Sequence, residues 1–70
     1  MSAAKKIKMM LVHREMTLTD LSQLLNKSLS TMSGKMKRDN FSEKDLREIA
    51  ELLNFDYEVI FTDRETGRKI

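Results

Sequence analysis

The sequence predicts a mainly α-helical domain of four or five helices that ends in a β-hairpin. Three observations lead to this prediction. Apolar residues recur at helical spacing from residue 4 to residue 53, Ser, Thr and Asn stand where these stretches begin and end, and the residues after 56 change to a period of two. A chain of 70 residues forms one domain with a small core, which favours a homodimer.

The first two helices are predicted over residues 4–15 and 18–25. Thr17 stands where it can cap the second helix, and Asp20 can return a hydrogen bond to the backbone of Thr17. Asn26 follows the last apolar residue of this helix and tolerates the left-handed backbone conformation that ends many helices. The chain can therefore turn sharply before the next helix. The apolar faces of the two helices comprise Ala4, Ile7, Met10, Leu11, Leu18, Leu21, Leu24 and Leu25.

The third and fourth helices are predicted over residues 29–37 and 43–53, with Ser28 and Ser42 as their N-caps. In the third helix Met32 and Met36 form the buried side. The other faces of this helix carry small side chains. The fourth helix has a regular apolar stripe: Leu46, Ile49, Ala50, Leu52 and Leu53.

The last segment, residues 57–70, is predicted as a β-hairpin. Its first strand, residues 57–62, is rich in β-branched and aromatic residues and has a period of two, and Gly67 suits the turn. A lone hairpin is marginally stable, so we expect one face to pack on the helices and one edge to stay free for association. The predicted dimer interface is Tyr57, Val59, Ile60 and Phe61. Pairing through helix residues near Leu53 and Phe55 is the alternative.

The charge is distributed unevenly along the chain. Residues 1–38 carry eight cations against two anions, a balance of +6, whereas residues 39–70 carry five cations against nine anions, a balance of −4. Such asymmetry points to a surface that binds a polyanion, although solvated lysines on amphipathic helices give the same pattern.

Two short capped helices joined by a tight turn form a helix-turn-helix, whose second helix enters the DNA major groove in DNA-binding proteins. Small side chains, and Gly34 in particular, let such a helix approach the base edges. The cations at the end of this helix suit phosphates, as do the hydroxyls and backbone amides at the start of the preceding helix. The predicted DNA-binding residues are Thr17, Leu18, Thr19, Ser28, Leu29, Ser30, Thr31, Ser33, Gly34, Lys35, Lys37 and Arg38.

The stretch MTLTDLSQLLNKSLSTMSGKMKRDNFSEKDLREIAELLN, residues 16–54, resembles the core of the small Cro/repressor-like DNA-binding proteins of bacteria and phages. The resemblance implies binding of double-stranded DNA by a homodimeric transcriptional repressor. It places the small residue between the two helices at Ser22 and the turn residue at Asn26. Two departures stand out: Lys27 and Lys35 occupy usually apolar positions, and the usual Gln pair is replaced by Leu29 and Ser30, which implies weak sequence preference.

Other functions are weighed against DNA binding. The apolar Leu29 and the lack of long polar side chains suit a protein-binding module on the same scaffold, such as an antitoxin-like or phage accessory protein. The basic first helix suits an anionic membrane surface less well, because its apolar face lacks Trp and Phe. We expect no enzyme, cofactor, metal or small-molecule ligand, because His13 has no partnered nucleophile and a small core leaves no substrate cavity. Without cysteines or an export segment, a cytoplasmic location is expected.

Overall fold

A computed structural model describes residues 2–70 and shows four helices in this part of the chain. Each begins and ends within two residues of its predicted limits, and the mainly α-helical class is confirmed. None of the four is both long enough and apolar enough to cross a bilayer. The helices are α1 (Ala3–His13), α2 (Leu18–Leu24), α3 (Leu29–Arg38) and α4 (Glu43–Leu52).

Each helix begins with a hydroxyl cap. The side chains of Ser2, Thr17, Ser28 and Ser42 each accept a hydrogen bond from the backbone N–H three residues later. In α2 and α4 this residue is an aspartate that also accepts from the backbone of the cap, which completes a capping box. These caps fix where the short helices start. They are worth about 1 kcal/mol each.

Each helix also ends in the same way, with one residue in the left-handed conformation. At the end of α2, Asn26 has φ 55° and its N–H donates to Gln23, while the Lys27 N–H reaches back to the Ser22 carbonyl at 2.9 Å. This pair of hydrogen bonds is the Schellman motif, and all four helices have it. No glycine is used for it. The four left-handed residues are Glu15, Asn26, Asp39 and Asn54.

The core lies where the four helices meet. Ser22 of α2 is 2% exposed and donates to the Leu18 carbonyl at 2.8 Å, so its buried hydroxyl is satisfied. Met32 of α3 is 1% exposed within the apolar cluster and sets the rotation of that helix. The cluster consists of Ile7, Leu11, Leu21, Met32, Ile49 and Leu53.

Two polar contacts hold α1 against the other helices. The Asp39 carboxylate, at the end of α3, accepts from the Ala4 N–H at 2.7 Å. At the other end of α1, the Arg14 guanidinium donates to the carbonyls of Leu53 and Asn54 at 2.8 and 2.9 Å. These carbonyls are at the end of α4 and lack helical partners, so Arg14 satisfies groups that would otherwise need water.

The predicted C-terminal hairpin is wrong in its extent. No strand is formed in residues 2–70, and the chain reversal around Gly67 retains a single antiparallel bridge between Thr62 and Lys69. Phe61 and Ile70 exchange backbone hydrogen bonds of 3.1 and 2.8 Å beside it. The predicted packing of this segment on the helices is also wrong, since every residue from 58 to 70 is exposed. Two extended segments that bury neither face lack the apolar contacts that hold a sheet together.

This segment, residues 56–70, is called the C-terminal arm below. It lengthens the molecule to 45 Å, against 24 and 19 Å in the other two directions. The radius of gyration is 13.9 Å, compared with about 11 Å expected for a compact chain of this length. The arm therefore projects from the helical domain.

Glu15 pays a conformational cost at the end of α1, because a side chain with a Cβ is disfavoured at φ 55°. We expect Glu15→Gly to raise the free energy of unfolding by about 0.5 to 1 kcal/mol. Glu48→Gly, at an exposed position inside α4, is the matched control and is expected to lower it by about 1 kcal/mol. Urea unfolding followed by circular dichroism measures both. Destabilisation by Glu15→Gly would contradict the role of this residue.

Candidate nucleic-acid interface

The candidate site is built on α2, α3 and the turn between them. Asn26 reverses the chain in the turn between α2 and α3, and only four residues, 25–28, separate the two helices. Both helices start with a hydroxyl cap whose neighbouring N–H groups are oriented along the helix axis. The two helices are thus joined by a short turn and contact each other.

The outward face of α3 carries small and cationic side chains. Because Met32 points into the core, the residues on the opposite side of the helix are directed into solvent. Ser30, Lys37 and Arg38 are all exposed there. Ser33 is exposed toward α1, and Leu29 is 47% exposed near the start of the helix. No acidic residue lies within α3.

Gly34 lies in the middle of this face and is half-buried by Arg38. The guanidinium of Arg38 folds back one turn, and its Nη1 lies 3.3 Å from the position that a Cβ of residue 34 would occupy. Because residue 34 has no side chain, the Arg38 guanidinium of the same helix can pack against its backbone. The sequence-based interpretation of Gly34 as a gap left for the DNA bases did not include this contact.

Several of the predicted hydroxyls already have internal partners. The Thr17 hydroxyl accepts from the Asp20 N–H at 3.2 Å, and the Ser28 hydroxyl accepts from the Thr31 N–H and donates to the Thr31 hydroxyl. These contacts are structural caps. The hydroxyls of Ser30 and Ser33 make no hydrogen bond with another described residue.

Two predicted residues at the start of α2 differ in their surroundings. Leu18 is half-buried and packs against the core, so its side chain supports the fold rather than a ligand. Thr19 is exposed beside it. Of the predicted residues at this helix start, Thr19 is the one with an exposed side chain outside the capping box.

Lys35 is turned away from the outward face. Its ammonium lies 3.1 Å from the Asp45 carboxylate of α4 and 6.0 Å from the centre of the Phe41 ring. Lys35 therefore links α3 to α4, and its contact with DNA stays a prediction. The pattern of apolar residues could not reveal this, because the partner lies ten positions along the chain.

Lys27 and Lys35 stand where the resemblance places apolar residues, and both line a small cavity between α3 and α4. Its volume is about 20 Å³, room for about one water molecule. The apolar part of its wall is Leu25, Met32, Phe41 and Ile49. Lys27, Lys35, Asp45 and Glu48 form the polar part of the wall.

Lys8 of α1 was not among the predicted site residues, yet it lies at the edge of this surface. It lines a groove between α1 and α3 together with Val12, Ser33 and Lys37. Helical periodicity places Lys8 on a solvent face, and only the packing of α1 against α3 brings it next to the candidate site. The charge count of the first 38 residues was the one signal that included it.

The cations of this surface are free of acidic partners. In residues 2–70 the side-chain ion pairs are Lys35 with Asp45 and Arg47 with Glu43. Lys8, Lys37 and Arg38 belong to neither pair. Their positive charge is available to an external anion.

The predicted dimer-interface residues lie on the arm. The Tyr57 ring is half-buried and has the Arg47 guanidinium 5.6 Å from its centre, which anchors the base of the arm at α4. Val59, Ile60 and Phe61 are all at least half exposed. None of the three belongs to the core cluster or to the apolar residues packed against it.

The contact between Lys35 and Asp45 gives a pH-dependent contribution to stability. The Ser42 backbone N–H, followed by the Lys35 ammonium, lowers the pKa of Asp45. A carboxyl group whose pKa is lower in the folded chain stabilises it above the ordinary value of about 3.9 and loses this effect as the pH falls through the folded-state pKa.

We therefore expect Asp45→Asn to lower the melting temperature at pH 7. The difference from the unaltered chain is expected to shrink steadily below about pH 4. Calorimetry of the two chains between pH 7 and about pH 2.5 measures this. A difference that stays constant over the whole range would contradict the role of the carboxylate.

In the described residues no group of three or more His, Cys, Asp or Glu side chains is placed to hold a metal ion. The candidate site is thus a surface of small side chains and unpaired cations.

Comparison of the chain with protein families, with curated proteins and with solved structures found no match.

Proposed function

We propose that this chain binds double-stranded DNA as a homodimeric transcriptional repressor, with α3 in the major groove. One observation carries the proposal: the outward face of α3 combines small side chains with cations that lack acidic partners. A narrow, positively charged ridge of this kind complements a groove that is about 12 Å wide and bordered by phosphates.

Phosphate contacts supply most of the affinity in this proposal. Lys37 and Arg38 lie on α3 itself. Lys8 of α1 adds a third cation, on the opposite side of the protein groove between α1 and α3 from Lys37. The exposed Thr19 at the start of α2 offers a further hydroxyl for a phosphate. Binding of this type weakens steeply with salt, because each phosphate contact releases bound counterions.

Base contacts are few in this proposal. Ser30 and Ser33 offer short hydroxyls that are free of internal partners, and Leu29 can contact a thymine methyl group. None of these makes the two-pronged hydrogen bonds of Arg, Asn or Gln. Sequence preference is therefore weak, and each wrong base pair costs no more than about 1 kcal/mol.

The homodimer places two copies of α3 in successive major grooves, about 34 Å apart. Its interface includes the arm residues Tyr57, Val59, Ile60 and Phe61, three of which are at least half exposed in the single chain. Burial of these side chains between two copies supplies the apolar contact that the arm lacks in one copy.

A protein-binding module is the second candidate function. The observation that favours it is Leu29, which is 47% exposed at the start of α3, next to hydroxyls that read bases weakly. Such a module would use α3 on an apolar protein surface. Its binding would depend little on ionic strength.

A salt titration separates the two functions. Labelled duplexes of mixed sequence are added to the chain, and fluorescence anisotropy is measured from low to high salt. DNA binding that falls steeply and linearly on a double-logarithmic plot is the expected result. No binding at low salt, or binding that ignores ionic strength, would contradict the proposal.

Gly34→Ala is expected to separate stability from binding. The added Cβ meets only the flexible end of Arg38, so the free energy of unfolding is expected to rise by about 1 kcal/mol through better helix propensity. Displacement of Arg38 and added bulk in the groove are expected to weaken DNA binding about tenfold, or by ~1.4 kcal/mol. Glu51→Ala, on the exposed side of α4, is the control that leaves binding unchanged. A tighter complex with Gly34→Ala would contradict the placement of α3.

Lys37→Ala is expected to weaken binding to every duplex by a similar factor. The slope of log K against log salt should become shallower by about 0.9, because one phosphate contact is lost. Lys44→Ala, which removes an exposed lysine from α4, is the matched control and should leave the slope unchanged. Equal effects of the two variants would mean that the charge of the whole chain matters and the position of the lysine does not.

A further inference from the structure

The outer side of α1 is an apolar surface that is left uncovered within residues 2–70. Met9 is 60% exposed and Val12 is 76% exposed. Met9 also borders a shallow groove that continues to Phe55, at the point where the arm leaves the helical domain. The groove is lined by Lys6, Met9, Met10, His13 and Phe55. We call this surface, together with Val12, the α1 face.

The arm is the second uncovered apolar surface. Phe61 is 72% and Ile70 is 81% exposed, and these two residues are joined by backbone hydrogen bonds, so their side chains are held together in solvent. Val59 and Ile60 are also at least half exposed. Exposure of so many apolar groups in a chain of 70 residues marks an interaction surface.

The arm does not cover the α1 face of its own chain. Tyr57 is held at α4 by its contact with Arg47, and all residues beyond it are exposed. The groove and the root of the arm are nevertheless adjacent, since Phe55 belongs to the groove and residue 56 starts the arm. Two copies related by a two-fold axis near Phe55 would bring each arm to the other copy's α1 face.

Charge determines which occupant the α1 face accepts. α1 contains three lysines, Lys5, Lys6 and Lys8, and no acidic residue. Pairing of two α1 faces would bring the lysines of both copies together, which is unfavourable. The outgoing half of the arm, residues 56–63, contains Asp56, Glu58 and Asp63 and no cation. It therefore complements α1 in both charge and apolar character.

We infer that the α1 face binds the C-terminal arm of a second copy, and that the exchange is reciprocal. The apolar side chains of the arm cover Met9 and Val12, while its carboxylates lie near Lys5 and Lys6, which leaves Lys8 beside α3 for DNA. A two-fold axis makes the two contacts identical, as in a closed dimer. The inference rests on the proposed homodimer and adds the surface that receives the arm.

Mixing two variants tests this exchange without DNA. The face variant, Met9→Glu/Val12→Glu, damages the α1 face, and the arm variant, Ile60→Ser/Phe61→Ser, damages the arm. All four positions are exposed, so both variants are expected to keep the helical circular dichroism signal. Sedimentation equilibrium then measures mass against the 8.2 kDa of one chain.

The expected result has three parts. The unaltered chain sediments at twice the mass of one chain, and each variant alone sediments as a single chain. An equal mixture of the two variants contains more dimer than either variant alone, because the intact arm of the face variant meets the intact α1 face of the arm variant and restores one of the two contacts. A dimer built from paired arm edges would leave the face variant dimeric and would gain nothing from mixing.

Three results would overturn the inference: a monomeric unaltered chain, a face variant that stays dimeric, or a mixture with no more dimer than either variant alone. The first also removes the proposed homodimer, whereas the other two leave it in place with a different interface. Loss of DNA binding leaves all of these readings unchanged, since no DNA is present.

A disulfide crosslink provides a second test of the exchange, in which the contacts of the α1 face and the arm are not disrupted by charged or polar substitutions. The chain has no cysteine, so Val12→Cys and Phe61→Cys can be introduced into separate chains. On mild oxidation the mixture is expected to form the mixed disulfide in preference to either symmetric one. Preferential pairing of Phe61→Cys with itself would overturn the exchange.

Discussion

Burial of Met32 is the constraint on which the rest of the structure depends. Its side chain is 1% exposed within a core cluster that also contains Leu21 of α2 and Ile49 of α4. Burying a side chain of this size is worth about 1.5 to 3 kcal/mol, more than any exposed contact of α3 contributes. The rotation of α3 is therefore fixed by its apolar side. Its small and cationic side faces solvent as a consequence.

The helix ends make such a small fold possible. α2 has seven residues, and helices of this length are not stable alone in water. A hydroxyl cap at each start and a Schellman motif at each end satisfy backbone groups that a short helix leaves unpaired in high proportion. Sharp ends also keep the connections short. The beginnings of α2 and α3 can therefore share one surface.

Local signals predicted the helices and the position of α3, because caps and apolar spacing act within a few residues. Asn26 was foreseen as a left-handed turn residue, whereas Glu15 was not, since Glu lacks the propensity that marks such positions. The partner of Lys35 and the seat of Arg38 on Gly34 depend on how side chains fold over their neighbours. Lys8 joined the candidate surface only through the packing of α1 on α3. The arm has strand-forming residues, but strand formation requires a surface to bury against.

The two proposals concern two different surfaces of one chain, one cationic and one apolar. The helical domain satisfies its own polar groups and leaves positive charge outward, while the arm leaves apolar side chains without contacts. A second copy and a DNA duplex would each complete one of these surfaces. For the DNA duplex the position of α3 decides the outcome, because it separates the cationic ridge from the core.

The most direct measurement is an NMR titration of the ¹⁵N-labelled chain with a DNA duplex at low salt. Amide signals of α3 and of the start of α2 around Thr19 are expected to shift, while those of the exposed side of α4 stay in place. Shifts confined to α4 or to the C-terminal arm, or no shifts at all, would contradict the placement of the DNA on α3.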